Sequence, residues 1–199
     1  MTSKWKSVAL AQMDKKTQQY FDRIHEVTDF LYLSGASGAR RDFIRQRGFT
    51  CVINCTLEGP LSVLDNVEFI SIKVDDSPYA QIGKFFDATA DKIEEHRLMG
   101  GKVLVHCMAG VSRSASIVIA YLVKYGNMSL REAYMHTKKA RSIIRPNPGF
   151  FKQLIEYEYR LTKRESVRMV PSSFGMLPDV YAEETSSMSW IAMKTGLRV

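Results

Sequence analysis

The stretch VLVHCMAGVSRSASIVIAYLV, residues 103 to 123, constrains the fold more than any other part of the chain. It begins as an apolar, β-branched run without alternation, the pattern of a strand covered on both faces. It ends as a helix, Ser114 to Lys124, that is apolar nearly all round and therefore central. Between them the run stops at His106 and Cys107, crosses the uncharged loop Met108, Ala109, Gly110, Val111 and Ser112, and reaches Arg113. A buried strand that turns directly into a buried helix needs helices layered on a sheet.

The remaining sequence supplies those layers. VTDFLYLSG reads as a short strand ended by Gly35, and RRDFIRQRG as a brief helix closed by Gly48. FTCVINCT and VEFISIKV read as further strands covered on both faces. Residues 82 to 98 place Ile82, Phe85, Phe86, Thr89, Ala90 and Ile93 on one helical stripe before Gly100 and Gly101 break it. Ser129 and Glu132 form a capping box, and Asn147-Pro148 opens a last helix with Phe151, Leu154, Ile155 and Leu161 inward. The expectation is an α/β fold with a mostly parallel central sheet flanked by helices.

Three segments are expected. Residues 1–24 form an N-terminal extension, in which Trp5, Val8, Ala9 and Met13 fall at helical spacing. Residues 25–165 form the main folded domain. In the C-terminal extension, 166–199, apolar anchors from Met169 to Tyr181 pack the first part on the domain, and the end is flexible.

Composition narrows the function classes. No run of about 18 apolar residues marks an integral membrane segment, and no hydrophobic leader marks secretion, so the chain reads as intracellular, cytoplasmic or nuclear. The basic N-terminus gives a weaker mitochondrial reading. Cys51, Cys55 and Cys107 are too few and too unevenly spaced for a disulfide framework, and no metal-ligand spacing or cofactor motif is seen. The net charge of +7 favours anionic partners, but it is spread along the chain without a nucleic-acid-reading motif.

Chemistry concentrates at residues 106 to 114. In a parallel α/β sheet, ligands collect beyond the carboxyl ends of the strands, where loops lead into helices. A short loop there, turned by Gly110, presents backbone N–H groups and a helix dipole to a tetrahedral dianion, and Arg113 adds a bidentate grip. Helix N-termini and neighbouring cations favour the thiolate form of a cysteine, which makes Cys107 a nucleophile held beneath a bound phosphate. Attack on a phosphoester then needs a carboxylic acid to protonate the leaving oxygen, and Asp75 and Asp76 are the candidates.

HCMAGVSRSAS resembles the signature of the cysteine-based protein tyrosine phosphatases, specifically the dual-specificity branch. The likeness runs over roughly residues 25 to 163 and includes VDDSP and RPNPGF; the tail FGMLPDVY is similar to the small atypical subgroup. The resemblance implies a tyrosine-phosphatase-like fold and hydrolysis of phosphotyrosine and phosphoserine or phosphothreonine through a phosphocysteine. It implies Asp76 as the acid, Ser114 as the hydroxyl steadying the departing thiolate, His106 in an orienting hydrogen bond, and Asn147 bracing the phosphate loop from the facing helix. It implies a phosphorylated protein substrate, with MAP kinases as the expected type, and leaves the oligomeric state open. Arg141 and Arg145, just before Asn147, read either as contacts for a second phosphate or an acidic substrate segment or as surface charges. The alternatives are a phosphoinositide phosphatase, against which the uncharged loop argues, and a non-catalytic phosphoprotein-binding module. If CVINC and VLVHC are neighbouring parallel strands, Cys55 ends beside Cys107, where oxidation would join the two reversibly; core packing is the competing reading.

Overall fold

The structure is a computed structural model, and it describes residues 23–58 and 64–182. The expected N-terminal helix and the end of the C-terminal extension lie outside the described residues. The central sheet consists of β1 (His25–Glu26), β2 (Leu31–Ser34), β3 (Cys51–Asn54), β4 (Glu68–Ser71) and β5 (Val103–His106), and continuous apolar patterning accounts for the fully buried β2, β3 and β5. Their order is β1-β2-β5-β3-β4, antiparallel only between β1 and β2. The strand richest in chemistry, β5, is therefore the central one.

Side chains alternate across the sheet. Tyr32, Val52 and Leu104 meet Ile44 of α1 (Arg41–Arg47) and Phe49 on one face. Leu31, Leu33, Ile53, Val103 and Val105 point into the larger core on the other. That core is built around α3 (Arg113–Tyr125), which packs against α2 (Phe86–Leu98), α4 (Leu130–Ala140) and α5 (Pro148–Thr162). Ile117, Val118, Ile119 and Leu122 of α3 are almost fully buried, and burial of such side chains is worth roughly 1.5–3 kcal/mol each. The N-terminus of α3 consequently has little freedom to move.

Local signals set the helix ends. Gly48 closes α1 at φ 68°, the left-handed region that a C-terminal cap requires. Ser129 and Glu132 form the capping box of α4. Asn147 caps α5, accepting from the Phe150 N–H at 3.0 Å, with Pro148 in the first turn.

Three expectations change. β4 is not covered on both faces, because it is the sheet edge, and Glu68 and Ser71 are exposed there. Leu161 points outward from the final turn of α5, 39% exposed, where the helix runs past the layer it packs on. In the C-terminal segment Leu177 and Tyr181 are buried, but Phe174 and Met176 are exposed around the tip of a hairpin made by β6 (Met169–Ser172) and β7 (Gly175–Pro178). No described helix is long and apolar enough to cross a membrane.

Candidate active site

The parallel strands β3, β4 and β5 end side by side, and Cys107 follows β5 directly. The five residues after it turn their carbonyls outward in succession. Met108 O accepts from Ala36 N at 3.0 Å, and Val111 O from Arg145 N at 2.9 Å. Ala109 O and Gly110 O both accept from Arg141, at 2.9 Å each. Ser112 O accepts from the backbone and hydroxyl of Ser116 at 2.9 Å. A peptide's C=O and N–H point in opposite directions, so outward carbonyls mean inward amides. Gly110 carries the sharpest turn, at φ +67°, and a Cβ there would come within 2.6 Å of the Ser34 backbone.

The sulfur sits at the floor of this ring. Cys107 Sγ is 2% exposed as a residue and accepts from Gly110 N at 3.2 Å and from Ser114 Oγ at 3.1 Å. Met108, Ala109 and Val111 are half-buried along the loop, while Gly110 and Ser112 are buried.

Arg113 is buried, and its Nη1 donates to Val74 O at 3.2 Å. Its Nε is buried without a hydrogen-bond partner. Buried donors are nearly always satisfied, so an orphaned N–H on a guanidinium beside an amide ring marks a place for an anion. Nη1 fixes the plane of the fork, and Nε remains for the ligand.

The acid candidates differ in position. Asp75 is exposed, whereas Asp76 is half-buried with Oδ1 accepting from Asn147 Nδ2 at 3.0 Å. Asn147 also touches the loop, but through its backbone: its N–H donates to Ser112 Oγ at 3.0 Å. One residue at the start of α5 thus contacts both the phosphate loop and Asp76.

His106 is buried, and its Nδ1 has no hydrogen-bond partner. Burial pushes its pKa down to about 4; the Cys107 backbone opposes the fall and the Arg113 charge adds to it. The imidazole is neutral at physiological pH. Cys55 stands beside Cys107 as the strand register requires, its N–H donating to His106 O at 2.8 Å. Burial raises its pKa well above the ordinary thiol value, with the neighbouring Cys107 adding to the rise and Arg113 opposing it.

Arg141 departs most from its sequence reading. It is fully buried behind the loop, where Nη1 also donates to Arg23 O at 3.2 Å, so it meets neither solvent nor a second phosphate. Arg145 stays half-buried, its guanidinium 4.4 Å from the centre of the Tyr181 ring.

Residues 31–160 match the family described as dual specificity phosphatase, catalytic domain. Dual specificity protein phosphatase 14 of Homo sapiens is 44% identical over 163 residues, covering 81% of this chain and 82% of that protein. Dual specificity protein phosphatase 18 of Rattus norvegicus is 38% identical over 197 residues, covering 98% and 95%. The crystal structure of human DUSP28 superposes with a TM-score of 0.66 at 31% identity, covering 69% of this chain and 94% of that one. The chain belongs to the dual-specificity phosphatases, with their fold, and is a protein tyrosine/serine/threonine phosphatase.

Proposed function

We propose that this phosphatase works by a two-step displacement in which Cys107 is the nucleophile. The phosphoryl group of the substrate rests on the inward amides of residues 109 to 113, with two of its oxygens on the free edge of Arg113. The observation that carries this reading is the buried, unpartnered Nε of Arg113. In the first step the Cys107 sulfur attacks phosphorus: an S–P bond forms, the P–O ester bond breaks, and Asp76 gives its proton to the leaving oxygen. In the second, Asp76 takes a proton from water, whose oxygen attacks phosphorus while the S–P bond breaks and phosphate leaves.

The other residues have supporting roles. Ser114, whose hydroxyl already points at the sulfur, steadies the thiolate as it departs. Its neutrality at working pH excludes His106 as a charged partner, leaving it a structural role behind the sulfur. Asn147 holds Asp76. Residues 25–165 carry the catalysis, and the segment that follows the hairpin braces them, an assignment supported by the Tyr181 hydroxyl donating to Pro146 O at 2.8 Å.

Phosphorylated proteins are the substrates, and MAP kinases are the class proposed, on the strength of the family relationship. Cytoplasm or nucleus is the proposed location, supported by three buried, unpaired thiols. Mild peroxide is expected to join Cys55 to Cys107, protecting the nucleophile; a peptide map showing sulfinic Cys107 with no linked Cys55 peptide would exclude this.

The test is hydrolysis of a small aryl phosphate in chelator, expected to proceed in the native protein and to vanish in Cys107→Ser. Parallel turnover of a doubly phosphorylated kinase peptide and of inositol-lipid head groups separates the protein reading from the lipid one. Faster turnover of the head groups would contradict it.

A further inference from the structure

The loop that carries Asp76 leaves the exposed edge strand β4; Arg113 holds its start at Val74 O, and from Asp76 onward its contacts come from one face of α5. Asn147, at the helix start, takes hold of Asp76 itself. Gly149 lies so close to the loop that a Cβ there would overlap the Pro78 carbonyl oxygen. Gln153, one turn further on, secures the exit. Its Nε2 donates to Ala80 O at 2.9 Å and to Gly149 O at 3.2 Å, while its Oε1 accepts from Gly83 N at 2.7 Å. A single side chain therefore fixes both a carbonyl near the end of the loop and the first turn of the element that follows it, and ties them to the helix that holds Asp76.

Only a group with both a donor and an acceptor can make these contacts together. An amide does so; a carboxylate offers acceptors alone, and a hydrocarbon offers neither. Gln153 is half-buried, so water replaces its bonds poorly. Proton delivery depends on geometry to within a fraction of an ångström, and a small misplacement far from the chemistry costs rate.

We infer that Gln153 is a positioning residue for the general acid and, through it, a determinant of how far the enzyme acts on phosphoserine and phosphothreonine relative to phosphotyrosine. The inference rests on Asp76 being the acid. The phosphate loop treats every phosphoryl group alike, but leaving groups differ. A serine or threonine alkoxide is a far stronger base than a tyrosine phenoxide, so its departure needs the proton more, and an activated nitrophenolate needs it least. Loosening the acid loop should narrow a dual-specificity enzyme toward phosphotyrosine without disturbing phosphate binding.

The experiment compares Gln153→Ala and Gln153→Met with Asp76→Asn on three substrates: a phosphothreonine peptide, the matching phosphotyrosine peptide and a nitrophenyl phosphate. Vanadate titration reports the phosphate loop. For both Gln153 variants kcat/KM, which reports the leaving-group step and not the dephosphorylation common to every substrate, is expected to fall about tenfold on phosphothreonine, about threefold on phosphotyrosine and less than about twofold on the activated ester, with vanadate affinity unchanged. Asp76→Asn is expected to show the same gradient more steeply, about a hundredfold on phosphothreonine. Gln153→Glu keeps the acceptor for Gly83 but sets a carboxylate oxygen against the Ala80 and Gly149 carbonyls, so it should not restore the loss. An equal loss on all three substrates, no loss at all, or a fall explained by weakened vanadate binding would overturn the role of Gln153 while leaving Asp76 in place. Absence of the gradient in Asp76→Asn would overturn the acid assignment itself, and this inference with it.

Discussion

The phosphate loop and the acid loop face each other across the site and are built by opposite means. Residues 108 to 112 run between a fully buried strand and a helix buried from Arg113 to Val123, and all five of their carbonyls are bonded, two of them to the buried guanidinium of Arg141. The acid loop leaves an edge strand, exposes Asp75, Pro78 and Tyr79, the last at 88%, and is held chiefly by contacts with α5. The first arrangement makes a stiff cradle whose shape does not depend on the substrate. The second makes proton delivery a property of a bracket that side-chain changes can tune. Damage to the cradle should reduce binding and chemistry together, and damage to the bracket should sort substrates by leaving group.

The most severe break short of removing the nucleophile is Arg141→Met. It leaves the Ala109 and Gly110 carbonyls buried without their donors, at about 1–3 kcal/mol for each group. Thermal unfolding should register a loss of about 3 kcal/mol or more, and vanadate affinity should fall about tenfold or more on every substrate's account alike. Lower stability with intact vanadate binding would show that the cradle keeps its shape without the guanidinium.

Gly149→Ala attacks the other side. The added methyl would overlap Pro78 O, so the acid loop must shift. Turnover of a phosphothreonine peptide is expected to drop about tenfold while nitrophenyl phosphate is spared; a uniform drop would mean that the two loops are mechanically coupled after all.

His106 sharpens the comparison through pH. Its pKa falls from 6.5 to about 4 on folding, so between these values the unfolded chain binds the extra proton. Stability through this group is complete above pH 6.5 and is lost as pH falls toward about 4, a difference of roughly 3 kcal/mol. Denaturant titrations across that window should show a flatter slope for His106→Asn. An unchanged slope would mean that the imidazole is not buried against the cradle as described.

The smallest effect is expected for Tyr181→Phe, which removes the bond to Pro146 O beside Asn147. About 1 kcal/mol of stability should be lost, measured by thermal melting, with turnover altered less than about twofold. A larger loss confined to phosphothreonine would place Tyr181 within the acid bracket.

The two regions also differ in how much of them can be read from the chain. Strand, loop and helix of the cradle lie within 21 contiguous residues, and their patterns force the buried strand-to-helix turn that puts Cys107 and Arg113 together. The bracket joins residues far apart: Asn147 and Asp76 are separated by 71 positions, and Gln153 and Ala80 by 73. Gln153 carries no local signal that sets it apart from the other polar residues of its helix. Arg141 reads as surface because it follows Lys138 and Lys139; its acceptors come from a loop about 31 positions earlier, which periodicity cannot reveal. Asn147 is legible as a cap, which it is, yet its free amide group acts on Asp76 while its backbone touches the phosphate loop. The edge position of β4 is likewise invisible, since VEFISIKV is apolar enough for a covered strand and only the strand order exposes it.

The most direct test of the account is to catch the phosphoryl group on sulfur. Asp76→Asn slows the second step, so acid quench during turnover of nitrophenyl phosphate, followed by peptide mass spectrometry, should find one phosphoryl group on the peptide bearing Cys107. It should be absent when Cys107→Ser is added. Turnover with no phosphorylated Cys107, or with the phosphoryl group on another residue, would contradict the mechanism.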